Sequence, residues 1–304
     1  MKRRKLLLIC LALLILALGI FAGWRCYQRE KLKNAWTTSK DLSVYFVNAD
    51  AVADQIRNTL RNHSWRVTLT YRSHGDNMED IRQMVDELIE RAMEETDDPT
   101  EGDYIRYQFG GYDMDYSYSL DGDDYCYVIR IMPHYYTTVE QEEAVDAEVA
   151  GILSQMAFTK ETPEAEKIRA IYNYVYDTVK YDRVHKKNPN YHLKTTAYAA
   201  AVQHTAVCQG YSVLMYRLLE EAGIDCRVVT GTAINDTGEE YHAWNLVRSD
   251  GLYYNLDVTW DWQTQTHDYY MKSDASFSDH IRDPQFADEA FYALYPMAGQ
   301  DLDQ

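Results

Sequence analysis

From Tyr241 to Trp260 the chain reads YHAWNLVRSDGLYYNLDVTW, two alternating runs on either side of a short turn. The pattern predicts an antiparallel hairpin, because strand side chains alternate with a period of two and the connection is too short for a crossover. Parity then decides which residues share a face. A turn taken at Ser249 and Asp250, with Gly251 following, places His242 directly across from Asp257. A carboxylate beside one imidazole nitrogen fixes the tautomer and leaves the other nitrogen for a second partner.

That partner is sought in the helix before the hairpin. In AVCQGYSVLMYRLLEEAGI, residues Tyr211, Leu214, Met215, Leu218, Leu219 and Ala222 recur at helical spacing, and Gly223 provides the stop. Cys208 falls three residues before Tyr211, in the first turn on the inward side. The positive end of the helix dipole there favours thiolate over thiol and lowers a reference pKa of about 8.5. Taken alone, Cys208 reads as a small buried residue. Together, Cys208, His242 and Asp257 fill the roles of nucleophile, base and orienting acid.

These stretches, with VVTG, HAWNLV, GLYYNLDVTWD and the trailing YYMKSDASFSDH, resemble the transglutaminase-like superfamily of papain-type cysteine enzymes from about Tyr181 to His280. The resemblance implies Cys208 as nucleophile, His242 as base and Asp257 as orienting carboxylate. It also implies an α+β core in which the Cys208 helix packs on an antiparallel sheet. The backbone N–H of Cys208 is one expected oxyanion donor, and Gln203 and Gln209 are candidates for a second on their chemistry alone. Trp244 and Trp260 are expected to wall the cleft, although core packing explains them equally well. Residues 41 to 156 do not resemble the additional domains of animal transglutaminases, which weakens a cross-linking reading.

The N-terminal end has its own constraint. Leu6 to Trp24 is an uncharged apolar run of 19 residues between Lys5 and Arg25, enough to cross a hydrocarbon core of roughly 30 Å as a helix. Trp24 and Arg25 stand where a signal peptide would need small residues, so an uncleaved anchor is expected. The cluster Lys2, Arg3, Arg4 and Lys5 should stay inside, leaving the remainder outside the cytoplasm.

Charge excludes another class of function. Residues 1–33 hold 8 of the 30 basic residues and 1 of the 48 acidic ones, so the rest carries 22 basic against 47 acidic residues. Such a body repels phosphate backbones, and nucleic-acid binding is not expected. Of five cysteines, Cys126, Cys208 and Cys226 lie beyond the anchor and its border, which is no disulfide framework. His185, His192, His204, His267 and His280 are scattered without paired ligand spacing, and nucleotide fingerprints are absent, so neither metal nor cofactor is expected.

The expected fold class is therefore α+β throughout: a basic tail at 1–5, a transmembrane helix at 6–24, a linker at 25–40, a small α+β domain at 41–156 and a papain-like transglutaminase core at 157–304. In the small domain, Trp65, Val67, Leu69 and Tyr71 share one strand face, and Ile81, Met84, Val85, Leu88, Ile89 and Ala92 form a helical stripe. Strands are expected at Tyr104–Phe109 and Tyr125–Met132, separated by GGYDMDYSYSLDGDD, which reads as a half-buried hairpin or a tyrosine-rich recognition surface. A helix is expected from Thr138 to Met156 and another behind Pro163. The function expected is a single-pass membrane enzyme that hydrolyses peptide, protein or cell-wall peptide amides through a Cys208 thioester. The alternatives are amine transfer that cross-links proteins and a non-catalytic binding module.

Overall fold

The computed structural model describes residues 49–76, 78–235 and 238–302. The expected anchor at 6–24 and linker at 25–40 lie outside them, and no described helix is long and apolar enough to cross a membrane. In chain order the elements are α1 (Ala49–Arg61), β1 (Val67–His74), α2 (Met78–Ala92), α3 (Asp103–Arg106), β2 (Phe109–Asp121), β3 (Asp124–Tyr135), α4 (Val139–Met156), α5 (Glu164–Thr178), β4 (Lys180–Tyr181), α6 (Ala197–Ala201), β5 (Thr205–Ala206), α7 (Cys208–Glu221), β6 (Cys226–Asn235), β7 (Gly238–Ser249), β8 (Leu252–Leu256), α8 (Val258–Thr264), β9 (His280–Arg282) and α9 (Glu289–Leu294).

The residues divide into two compact units. Of the described residues, one takes in 49–56, 66–92 and 114–132; the other holds 57–65, 93–113 and those from 133 to 302. The division expected between 156 and 157 thus falls inside the second unit, because Val145, Val149 and Ile152 of α4 enter the same core as α5 and α7.

In the first unit a three-stranded sheet runs β1-β3-β2. Its buried pairs Val67↔Ile131, Leu69↔Ile129 and Tyr71↔Tyr127 sit directly opposite one another. Trp65 departs from the expected strand face: it precedes β1 and is 69% exposed. The α2 stripe from Ile81 to Ala92 is buried as its spacing predicts. The tyrosine-rich segment forms the half-buried hairpin expected of it: it is most of β2, and Gly122, at φ 67°, makes the turn into β3. Its alternation of Tyr112, Met114, Tyr116, Tyr118 and Leu120 with acids and serines is a strand signal.

In the second unit, the strand expected at Tyr104–Phe109 is a helix to Arg106, and only Phe109 belongs to a strand, as the start of β2. Asp103 opens the one-turn helix α3 because its buried carboxylate accepts from the Arg227 guanidinium at 2.8 Å and the Val228 N–H at 2.8 Å. Thr138 caps α4 through a reciprocal bond pattern with Gln141.

Helix α7 is buried on every side from Gly210 to Leu219, rather than along the single stripe its spacing suggested. It packs on the sheet β8-β7-β6-β9, with α5 and α6 also against it. Gly223, at φ 76°, ends it, and the Ile224 N–H reaches back to the Leu219 carbonyl. The hairpin turn is Asp250–Gly251, both with positive φ (52° and 84°), the conformation that Asp-Gly favours. Ser249 therefore pairs with Leu252 and Asn245 with Leu256, a register two residues away from the expected one. A two-residue shift preserves parity, so the face expected for His242 is kept.

Gly231 determines how closely β9 approaches. It pairs with both His242 and Arg282, and an added Cβ would lie 2.0 Å from the Ile281 carbonyl oxygen. Gly231→Ala should lower stability by roughly 1–3 kcal/mol. Gly151→Ala, in open space on α4, should instead raise it by roughly 0.5–1 kcal/mol. Urea unfolding midpoints compare the two; equal midpoints would remove the steric account of β9 docking.

Candidate active site

Three elements converge at the start of α7. Cys208 is its first residue, half-buried, behind the extended Val207. His242 stands on β7 and is buried. Asp257 is not on a strand, as the register argument supposed, but is the N-cap of α8 immediately after β8. Its Oδ1 accepts from the N–H groups of Thr259 (2.9 Å) and Trp260 (3.1 Å). Its Oδ2 lies 2.7 Å from His242 Nε2.

With Nε2 turned to Asp257, the remaining ring nitrogen of His242 serves the thiol, and the Cys208 and His242 side chains are hydrogen-bonded. The Ala243 N–H also bonds the sulfur. Burial would push the Cys208 thiol up, but the His242 charge and these two bonds outweigh it and hold the pKa below its ordinary value. Burial likewise opposes charge on His242, yet the Asp257 carboxylate and the Cys208 sulfur push it up to about 10. Asp257 is buried, which disfavours its charge, but His242 and a second histidine hold its pKa well below the carboxylate range. All three shifts favour the charged forms: thiolate, imidazolium and carboxylate.

The second histidine is His280, on β9. Its Nε2 lies 3.2 Å from the same Asp257 Oδ2, and its Nδ1 lies 2.8 Å from Asp279 Oδ1. By spacing alone His280 is one of the scattered histidines. Its signal was position, at the end of the trailing stretch YYMKSDASFSDH that carries the resemblance.

Among the described residues, His242, Asp257 and His280 form a group that could hold a metal, with ligand atoms within 4.8 Å of one another. Both Nε2 atoms, however, converge on one carboxylate oxygen as hydrogen bonds. A metal taking His242 Nε2 would remove the bond that orients the ring toward Cys208. The donor set is satisfied without one.

The other candidates fare differently. Gln209 donates one side-chain N–H to the Tyr107 carbonyl at 2.6 Å, which holds its amide against that residue. Gln203 lies exposed just beyond α6. The Cys208 N–H remains a natural donor, since helix-opening amides have no acceptor within their own helix. Trp244 is buried in the core beside Phe277, with its indole N–H on Asn255 Oδ1 at 3.1 Å, so it supports His242 and does not wall a cleft. Trp260 packs on His280 at 4.4 Å and borders a surface depression with Ile234, Glu240 and Tyr269. Cys226 is inert: burial first, then Glu220, pushes its thiol up.

Residues 152–258 match the model of the transglutaminase-like superfamily. The Kyphoscoliosis peptidase of Homo sapiens is 28% identical over 134 residues, which cover 41% of this chain and 19% of that protein. Its Mus musculus counterpart is 29% identical over 105 residues, 32% of this chain and 16% of that protein. The chain thus spans under a fifth of these relatives. A solved TGase structure is 17% identical with a TM-score of 0.35, covering 64% of this chain and 51% of that one.

The electrostatics predict the reactivity of Cys208. Alkylation by iodoacetamide should stay fast well below the reference thiol pKa of about 8.5, and His242→Ala should move the inflection up toward that value. The ion pair should persist until His242 loses its proton near pH 10. Asp257→Asn, which removes a charge that raises His242, should bring that upper limit down. An ordinary thiol profile in the wild type would contradict the assignment.

Proposed function

We propose that the transglutaminase-like domain at residues 152–258 works as a cysteine-dependent acyl-transfer enzyme, cleaving peptide or protein amides outside the cytoplasm. The observation that carries this reading is the line from Cys208 through His242 to Asp257, closed by the 2.7 Å contact. In this reading the Cys208 thiolate attacks the amide carbonyl carbon, and the oxyanion formed is met by the N–H groups at the head of α7. Collapse breaks the C–N bond; His242 gives its proton to the departing amine, leaving a thioester. Water then loses a proton to His242 as it attacks, the acid departs, and thiolate and imidazolium are restored. Asp257 keeps its charge throughout and steadies the imidazolium.

We prefer hydrolysis over amine transfer because residues 41–156 do not resemble the additional domains of animal transglutaminases. Placement outside the cytoplasm is supported by the basic cluster at Lys2–Lys5 before the apolar run. Cell-wall peptide and extracellular protein are then the substrates within reach.

Cys208→Ala should abolish turnover of peptide amides while preserving the fold, since both residues are small. Asp257→Asn should lower the rate by roughly 10²–10⁴. Products labelled in water and in the presence of a primary amine separate hydrolysis from transfer; full activity of the Cys208→Ala protein would end the reading. For location, protease added to intact cells should digest the chain beyond Arg25, and protection until lysis would place the domain inside.

A further inference from the structure

The helix-facing side of the central sheet continues past the point where the helix ends. Asn245 of β7 faces α7, since its side-chain amide donates to the Ser212 carbonyl at 3.0 Å. Ala243 and Tyr241 follow on the same face at two-residue steps. Across the sheet, Ala243 pairs with Thr230, and Tyr241 pairs with Thr232, which pairs in turn with Ile281 of β9.

Burial changes sharply between these rows. Thr230 and Ala243 are both 3% exposed, whereas Tyr241 is 69% and Ile281 56% exposed, and Ile234 one row further is 38% exposed. Tyr241 and Ala243 flank His242 on β7, so the uncovered row begins beside the site. The step from Ala243 to Tyr241 is two residues of strand, about 6.8 Å.

Exposed apolar residues are ordinary when scattered and informative when contiguous. Here they are contiguous and held in place. The Tyr241 hydroxyl donates to Asp283 Oδ2 at 3.1 Å, an oxygen that also accepts from Thr230 Oγ1 at 2.6 Å. The phenol is thereby tied down across β6, and its hydrogen-bonding end is occupied. What it offers a visitor is its ring.

We propose that Tyr241, Thr232 and Ile281 form the subsite for the substrate side chain next to the scissile amide, and that this row selects large apolar or aromatic residues. The proposal rests on the acyl-transfer reading above and names its substrate class: extended peptides with an apolar residue beside the cleaved bond. A peptide whose carbonyl sits at the sulfur can lay its adjoining side chain over the row, because a long apolar side chain such as Phe, unlike Ala, reaches from its own Cα across a two-residue step of strand. An acidic residue there would meet the apolar row without a cation in it.

The test uses the full-length protein and peptidyl vinyl sulfones that alkylate Cys208, identical except for Phe, Leu, Ala or Asp beside the electrophile. Labelling is followed by mass spectrometry. The wild type should react with the Phe probe about tenfold or more faster than with the Asp probe. Tyr241→Ser should bring that ratio toward one, Tyr241→Phe should keep it, and Ile281→Lys should accelerate the Asp probe. A ratio within each variant is independent of lost folded fraction, and a gained preference cannot come from misfolding. A wild-type ratio near one, or variants that keep the wild-type ratio, would overturn the subsite. If iodoacetamide labels Cys208 rapidly but no peptide does, the peptide-substrate reading falls and the subsite with it. If iodoacetamide is slow as well, the nucleophile assignment itself has failed.

Discussion

One buried carboxylate organises the site. Asp257 is 2% exposed, and a buried ion costs several kcal/mol unless its lone pairs are met. Here four contacts meet them: the Thr259 and Trp260 N–H groups on Oδ1, and His242 and His280 on Oδ2. Each contact also fixes a piece of fold. The first two start α8 at the end of β8; the third aims the base at Cys208; the fourth ties β9 to the site. Gly231 lets β9 come close enough for that last contact.

The thiol is prepared by a separate device. Helix α7 begins at Cys208 and is buried on all sides, so its open amides and dipole sit where the sulfur is. The sheet supplies the rest, an imidazole and one backbone N–H from adjacent residues of β7. Because His242 and Ala243 are neighbours on opposite faces of one strand, the base and the sulfur's amide donor are set by a single backbone. The exposed row from Tyr241 follows from the same strand: beyond the helix, none of the described residues covers it.

The sequence made the elements legible wherever a local rule governed them. The helix beginning near Thr138, Gly223 as a stop, the Ile81–Ala92 stripe and the face of His242 all follow from periodicity or turn chemistry. What failed was governed by partners distant in sequence. Asp103 forms a helix because Arg227 and Val228 lie against it, 124 and 125 positions away. Gln209 is held against Tyr107, 102 positions away. The register slipped because the Asp-Gly signal at 250–251 outranks a turn at Ser249–Asp250, and Asp257 then reached His242 as a helix cap. His280 was within the recognised stretch, but nothing local to a three-residue strand said that it would meet Asp257.

The central claim is that Cys208 rests as a thiolate paired with a His242 imidazolium that Asp257 holds in place. Thiolate absorbance, recorded across pH as the difference between the wild type and Cys208→Ala, measures that ionisation directly. The account predicts that the thiolate is present at neutral pH and that His242→Ala shifts its appearance upward to the ordinary thiol range. A wild-type thiol that ionises only in that ordinary range, unchanged by His242→Ala, would contradict it.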